Sequence, residues 1–344
     1  MDRIAVFGAG VAGATFVKEA KGDGAAITLV DPKDYVEVPY AVHRGLMDPD
    51  GFGRTIRRPI SEYLGVEHVQ AKLQTLAPGS ALLDDGSEIP FDTAVIATGS
   101  TIRGFDNLKV AERRSIEARE SELRSEHDRL REAGSVIVIG GGPVGVELVG
   151  EIVSAFPDKQ VTLIHGADRL VPDFGAGVGD KARKVFEQHG VRVILGQRAS
   201  ALEDGRTVKL ASGETLEADV VYTATGIVIE TAYLQEHFAD RVNDRGQVMV
   251  DEFLRVKGTE DIYAIGDIND VPGMKLGAFG ADQAKRVAQN LEAQREGSPV
   301  KAFKPMTKAV GIVTLGTDTG VFKLPIGRFD PLHRLKQKDM FASR

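Results

Sequence analysis

Short apolar runs along this chain end at clusters of glycine. Ile4-Ala5-Val6-Phe7 stops at Gly8-Ala9-Gly10-Val11-Ala12-Gly13, and Val136-Ile137-Val138-Ile139 stops at Gly140-Gly141-Gly142-Pro143-Val144-Gly145. Four consecutive apolar residues suit a strand buried on both faces of a parallel sheet, and a helical stretch follows each cluster. Later landmarks repeat as well. Gly86 and Asp92 precede Ala94-Val95-Ile96-Ala97-Thr98-Gly99, and Gly213 and Asp219 precede Val221-Tyr222-Thr223-Ala224-Thr225-Gly226. The first cluster glycines lie 132 residues apart, and the hairpin glycines, the aspartates and the final glycines each lie 127 apart. One unit is therefore used twice: strand, glycine turn, helix, strand, β-hairpin, strand ending in Ala-Thr-Gly.

Between the units, residues 111–133 are strongly charged, with Ile116, Leu123 and Leu130 spaced by seven. This predicts a surface helix with one narrow apolar stripe. Beyond Gly226, Asp261-Ile262-Tyr263-Ala264-Ile265-Gly266-Asp267 gives another strand-to-turn signal, and a helix is expected over 278–295. That segment is expected to return to the first unit. The predicted fold is α/β with two Rossmann-like dinucleotide-binding domains. The first is discontinuous (1–110 and 251–299), a connecting helix spans 111–134, the second domain spans 135–250, and a short basic segment takes 300–344.

Each glycine cluster follows a strand, opens a helix and sits in a unit of the right size for a dinucleotide turn. In Gly8, Gly10 and Gly13, and again in Gly140, Gly142 and Gly145, the first glycine makes the turn, the second leaves room for a pyrophosphate and the third lets helix and strand pack. Val11, Ala12, Pro143 and Val144 open the helices, whose free N–H groups favour phosphate. The second strands end differently. The first ends at Asp31, eighteen residues after Gly13, where a carboxylate can accept from ribose hydroxyls. The second ends at His165, with Arg169 soon after and no acid in that place, so a 2′-phosphate is not repelled there. Two sites imply two dinucleotides, FAD in one and NAD(P)H in the other.

Composition narrows the chemistry. The 344 residues include 39 glycines and no cysteine, which excludes disulfides, thiolate metal sites and a redox-active cysteine pair. The seven histidines show no metal-ligand spacing. Net charge is −7, yet residues 301–344 hold nine Lys or Arg against three Asp. The acidic body and a pI near 5.6 argue against nucleic-acid binding, while the basic end suits an anionic membrane surface. No apolar run of membrane-spanning length is present. A strand at residues 3–7 leaves no room for a signal peptide, and Asp2 stands where N-myristoylation needs glycine. The expected location is cytoplasmic or peripheral on a membrane, as a monomer or homodimer.

Over residues 1–295 this layout resembles the pyridine nucleotide–disulphide oxidoreductase superfamily. Gly145-Val146-Glu147, Thr162-Leu163-Ile164-His165, Tyr263-Ala264-Ile265-Gly266-Asp267, Gly327-Arg328 and Lys336-Gln337-Lys338-Asp339-Met340-Phe341 are similar to its ferroptosis suppressor, apoptosis-inducing-factor-like group. The resemblance implies a flavoprotein that reduces coenzyme Q or vitamin K-type quinones with NAD(P)H. It places FAD on the first unit, on Ala97, Thr98 and Gly99 and on Gly266 and Asp267, and NAD(P)H on the second unit, with Gly226 at its repeated strand end. It sets Glu147, read as lying in the first turn of its helix, beside the nicotinamide. Arg44 is expected at a FAD phosphate, Lys33 and Leu73 at the adenosine end, and Ala278 in a helix start facing the flavin. It also puts Phe341 on the wall of a quinone pocket and Lys336 at a quinone oxygen. Two alternatives remain open: a ferredoxin- or monodehydroascorbate-type reductase, and a non-enzymatic redox signalling flavoprotein.

Overall fold

The computed structural model describes residues 2–22, 24–105, 108–307, 310–324 and 327–329. Both glycine units form as expected. In the first, β1 (Arg3–Phe7), α1 (Val11–Ala20), β2 (Ala26–Val30), β3 (Glu67–Val69) and β4 (Thr93–Ile96) build a parallel sheet. A connecting helix, α2 (Ile116–Glu132), leads to the second unit. There β5 (Ser135–Ile139), α3 (Pro143–Ala155), β6 (Gln160–Ile164), α4 (Ala176–Gln188), β7 (Arg192–Ile194) and β8 (Val220–Thr223) repeat the arrangement, with sheet order β7-β6-β5-β8. Strand β9 (Ile262–Ala264) then pairs with β4, giving the first sheet the order β9-β4-β1-β2-β3. The last helix, α5 (Gly277–Arg295), packs against α1. A three-stranded antiparallel meander carries the turn at Gly86, and a second carries the turn at Gly213.

The central strands are buried along almost their whole length, so apolar residues occupy successive positions rather than alternate ones. Both sheets show why the landmarks repeat. Gly8 sits at φ +107°, and a Cβ there would stand 2.4 Å from the carbonyl oxygen of Ala97. Gly140 sits at φ +120°, and its Cβ would stand 2.2 Å from the carbonyl oxygen of Ala224. Each turn thus presses on the Ala-Thr-Gly end of the neighbouring strand, and a side chain fails there on both conformation and space.

The connecting helix differs from its expected form. Leu123 and Leu130 are buried as the stripe requires, but Arg119 and Glu126 are buried on the same face. Arg119 donates through Nε (3.1 Å) and a terminal nitrogen (3.2 Å) to Glu37, which also accepts from Arg57 at 2.6 Å. Glu126 accepts from the Tyr222 hydroxyl at 2.6 Å. Paired charges can be buried where single ones cannot.

Candidate functional site

The two glycine turns open onto one cleft of about 980 Å³ between the units. Its floor is fixed where the chain leaves the two Thr-Gly ends, since Thr101–Ile102 and Ile227–Val228 pair antiparallel across the cleft. Helices α1 and α3 begin at Gly10 and Gly142, with no capping side chain and no acid in the first turn. Their first N–H groups are therefore available to phosphate oxygens. A Cβ on Gly10 or Gly142 would meet no protein atom within 4 Å and would stand in the cleft itself. Gly13 and Gly145 lie beneath the turns, where a Cβ would come within 1.9 Å of Gly8 oxygen and 1.8 Å of Gly140 oxygen. The site thus has cradles that only glycine can form, as dinucleotide phosphates require.

The two strand ends carry different groups. Asp31 is buried and accepts from the Ala9 N–H at 2.5 Å and the Lys33 N–H at 2.8 Å. The Lys33 ammonium lies 2.8 Å from the same carboxylate. At the other end, His165 Nδ1 accepts from the Gly141 N–H at 3.1 Å. Burial pushes the imidazole pKa below its usual value, so the ring is neutral at pH 7. With Nδ1 as acceptor, the proton of the neutral ring sits on Nε2. That Nε2 has no hydrogen-bond partner among the described residues. His165 therefore lines the cleft as a neutral ring whose Nε2 is itself buried.

On the first unit's side, Thr98 shares a 2.8 Å hydrogen bond with the Tyr233 hydroxyl. Asp267 accepts from Ser100 Oγ at 2.6 Å and pairs with the Lys109 ammonium at 3.0 Å. Burial opposes ionisation of Asp267, but Lys109, Ser100 and Lys275 outweigh it and hold the carboxyl below its ordinary range. Across the cleft, Glu147 is buried and accepts from the Thr314 N–H at 3.1 Å and its hydroxyl at 3.3 Å. Thr314 belongs to the antiparallel pair Gly311–Thr314 and Gly320–Leu324, which sits on α3 where Gly150 leaves room for Leu315 and Gly316.

The described structure places the remaining expected residues as follows. Gly8, Gly10, Val11, Ala12, Asp31, Lys33, residues 97–99, Gly140, Gly142, Pro143, Val144, Glu147, His165, Gly226, Gly266 and Asp267 line the cleft. Four do not. Arg44 is turned to Glu151 of α3, donating at 3.0 and 3.4 Å, so its charge is already engaged. Leu73 is buried in a meander strand paired with Leu83. Arg169 is directed at its neighbour Asp168, at 3.3 Å. Ala278 is exposed, while Gly277 and Gly280 on either side of it face the cleft. Glu147 lies beyond the first helical turn, because α3 starts at Pro143. Lys336 and Phe341 lie outside the described residues. Lys109, Ser100 and Thr314 were not legible in the sequence, since only the fold brings them to Asp267 and Glu147. A further cleft feature carries a partial signal, the Pro172 that follows Val171. Val171 takes a left-handed φ of 39°, with its N–H held by Gly141 oxygen at 2.8 Å, and delivers residues 172–174 to the cleft.

Among the described residues no cluster of His, Asp or Glu is placed to hold a metal, and no helix is long and apolar enough to cross a membrane.

Ferroptosis suppressor protein 1 of Xenopus tropicalis is 26% identical over 359 residues, covering 99% of this chain and 94% of that one. Apoptosis-inducing factor homolog B of Dictyostelium discoideum is 24% identical over 372 residues, covering 99% and 95%. The sulfide:quinone oxidoreductase of Aquifex aeolicus shares the fold, with a TM-score of 0.79 at 16% identity over 98% of this chain and 89% of that one. The pyridine nucleotide-disulphide oxidoreductase family matches residues 2–297. The chain belongs to that family, and it is an NAD(P)H-dependent oxidoreductase whose cofactors are FAD and NAD(P)H.

Proposed function

We propose that this oxidoreductase passes electrons from NAD(P)H through FAD to a quinone. The observation that carries the reading is a cleft onto which two dinucleotide-type glycine turns open, in a chain with no cysteine. A dithiol relay is thus excluded, and the electrons leave for an acceptor that is not part of the protein. The similarity to the ferroptosis suppressor group supports a quinone as that acceptor.

When bound, FAD and NAD(P)H would supply the hydride-transfer and electron-transfer chemistry between nicotinamide and acceptor. The protein's part is alignment. The first turn and Asp31 hold FAD by its pyrophosphate and ribose, with Lys33 beside the carboxylate. Residues 97–99, Gly266 and Asp267 line its path, and Lys109 keeps Asp267 charged and oriented. The second turn and the ring of His165 beside it would hold the pyridine nucleotide, and Glu147, steadied by Thr314, would orient the nicotinamide end. No acid is needed for hydride transfer; position is what the site supplies.

In this reading the terminal residues Lys336 and Phe341 contact the acceptor, and the basic end meets an anionic membrane surface. The deciding experiment is a steady-state panel with NADH and NADPH against soluble quinones, ferredoxin and monodehydroascorbate. Turnover with quinones alone is expected. Turnover with ferredoxin or the ascorbate radical and none with quinones would replace the reading, and no turnover with any acceptor would leave a redox signalling protein. Cutting the chain after Asp330 should leave flavin reduction by NAD(P)H intact and slow quinone reduction. Normal quinone turnover in the truncated protein would remove Lys336 and Phe341 from the acceptor site.

A further inference from the structure

Behind the wall made by Gly266, Asp267 and residues 274–276 lies a second cavity of about 670 Å³. That volume is within the range of small-molecule sites, about 300–1,000 Å³. Its outer side is formed by a strap, residues 301–306, tied down at three points. Lys301 exchanges two hydrogen bonds with the Asn290 side chain, both at 2.9 Å. The Phe303 N–H donates to Glu252 oxygen at 2.7 Å. Met306 oxygen closes on Gly273, where a Cβ would stand only 2.8 Å away.

The lining is two-sided. Val271, Met274, Leu276, Phe279 and Phe303 give an apolar interior, and Met306, 47% exposed, extends it to the mouth. Lys285, Arg286, Lys301 and Lys304 supply cations around it. Among the described residues no carboxylate pairs with any of these four. Two carboxylates reach the lining, and of these Asp267 is already held by Lys109, which leaves Asp282. Lys275 is set apart from the group, since its ammonium is 2.6 Å from Asn269 oxygen and burial lowers its pKa. An excess of unpaired cations around an apolar pocket is the complement of a molecule with a long apolar body and one anionic head.

We propose that this cavity binds an anionic amphiphile of the fatty-acid type, with its chain against the apolar wall and its carboxylate among Lys285, Arg286, Lys301 and Lys304. Gly266, Asp267, Lys275 and Gly280 line both this cavity and the dinucleotide cleft. An occupant therefore touches the far side of the wall that faces FAD and perturbs the bound flavin. The site does not depend on what the electron acceptor is.

The test uses the FAD-loaded protein with oleate and its uncharged methyl ester below their aggregation concentrations, by calorimetry and by the flavin absorption spectrum. Oleate is expected to bind once per chain and to shift the flavin spectrum, with the ester about tenfold weaker. The exposed double substitution Lys285→Glu and Lys304→Glu should weaken oleate about tenfold and leave the ester unchanged. Lysophosphatidic acid binding like oleate would keep the site and widen the head group to phosphate. Equal binding of oleate and ester, unchanged oleate binding in the double variant, or displacement of oleate by inorganic phosphate alone would each overturn the proposal. None of these measurements involves a quinone, so they stand or fall apart from the acceptor assignment.

Discussion

The two glycine turns are alike in backbone and unlike in chemistry. Both press a left-handed glycine onto the Ala-Thr-Gly end of a neighbouring strand, and both bury a third glycine under the turn. The strand ends beside them then diverge. One presents a buried carboxylate held by two N–H groups and an ammonium, the other a neutral imidazole with an unpartnered Nε2. In the proposed reading the turn is a common device for a pyrophosphate, and the residue at the strand end would set which nucleotide is held and how firmly. Asp31 is locked by the protein before any ligand arrives, as suits a resident cofactor. His165 brings no charge to the cleft, which in the proposed reading suits a nucleotide that comes and goes.

The largest expected effects come from breaking one turn and sparing the other. Gly145→Val forces a side chain into a space where Cβ alone would be 1.8 Å from Gly140 oxygen. Overpacking of this kind costs about 1–3 kcal/mol or more, and it displaces the start of α3. The variant should purify yellow, and its flavin should accept electrons from dithionite while reduction by NADH or NADPH slows about 100-fold. Gly13→Val should instead give colourless or insoluble protein. A yellow Gly13→Val protein, or a Gly145→Val protein that is reduced at the normal rate, would show that the turns do not divide the labour in this way.

Next in size is the exchange of chemistry at the strand ends. Asp31→Ala strips the Ala9 and Lys33 N–H groups of a buried acceptor and should weaken FAD by about 1–3 kcal/mol, measured by equilibrium dialysis. His165→Glu puts a carboxylate where a 2′-phosphate would lie and should penalise NADPH relative to NADH by about 1–3 kcal/mol in kcat/KM. Equal use of both nucleotides by His165→Glu would move the ribose pocket elsewhere.

A smaller effect follows from titration. Burial lowers the pKa of His165, so the imidazolium appears only below the ordinary histidine range. The sign follows directly: the unfolded chain takes up this proton first, so the stability the neutral ring contributes is lost as pH falls. In the folded enzyme the same proton turns a neutral ring into a cation. The kcat/KM ratio of NADPH to NADH should therefore rise once pH falls below the ordinary histidine range. His165→Gln should flatten that dependence, and a ratio equally steep in His165→Gln would assign the titration to another group.

Much of this was legible because some positions tolerate only one residue type. Gly8 meets Ala97 oxygen and Gly140 meets Ala224 oxygen, so the spacing of the landmarks carries the packing of each sheet in plain text. Asp31 and His165 were legible because they follow buried strands directly. Residues that matter through distant partners left no such trace. Lys109 and Asp267 are 158 positions apart, and Thr314 and Glu147 are 167 apart. Arg44 was expected at a FAD phosphate because the resemblance runs the chain past the flavin there, whereas the fold sets it against Glu151 at 3.0 Å. Arg119 and Glu126 read as solvated, and their partners Glu37 and Tyr222 lie on other elements.

The smallest expected effect tests the negative half of the comparison. Arg169 follows His165 closely enough to read as a second group for a 2′-phosphate. In the fold its guanidinium is exposed, 3.3 Å from Asp168, and it is absent from the cleft wall. An exposed arginine that shares its charge with an adjacent carboxylate is screened by water and by that partner. Reaching the cleft would mean giving up the Asp168 contact and ordering a long side chain for a charge that solvent already satisfies. Arg169→Ala should therefore leave the KM for NADPH within about twofold of the parent value, at low salt as well as high, while His165→Ala raises it. The informative condition is low ionic strength, where a hidden contribution from Arg169 would be largest. A fall in NADPH use by Arg169→Ala that disappears on adding salt would show that the guanidinium swings to the phosphate when nucleotide binds. The second strand end would then hold its nucleotide by charge, and the contrast with Asp31 would be between two ionic sites rather than between an ionic and a neutral one.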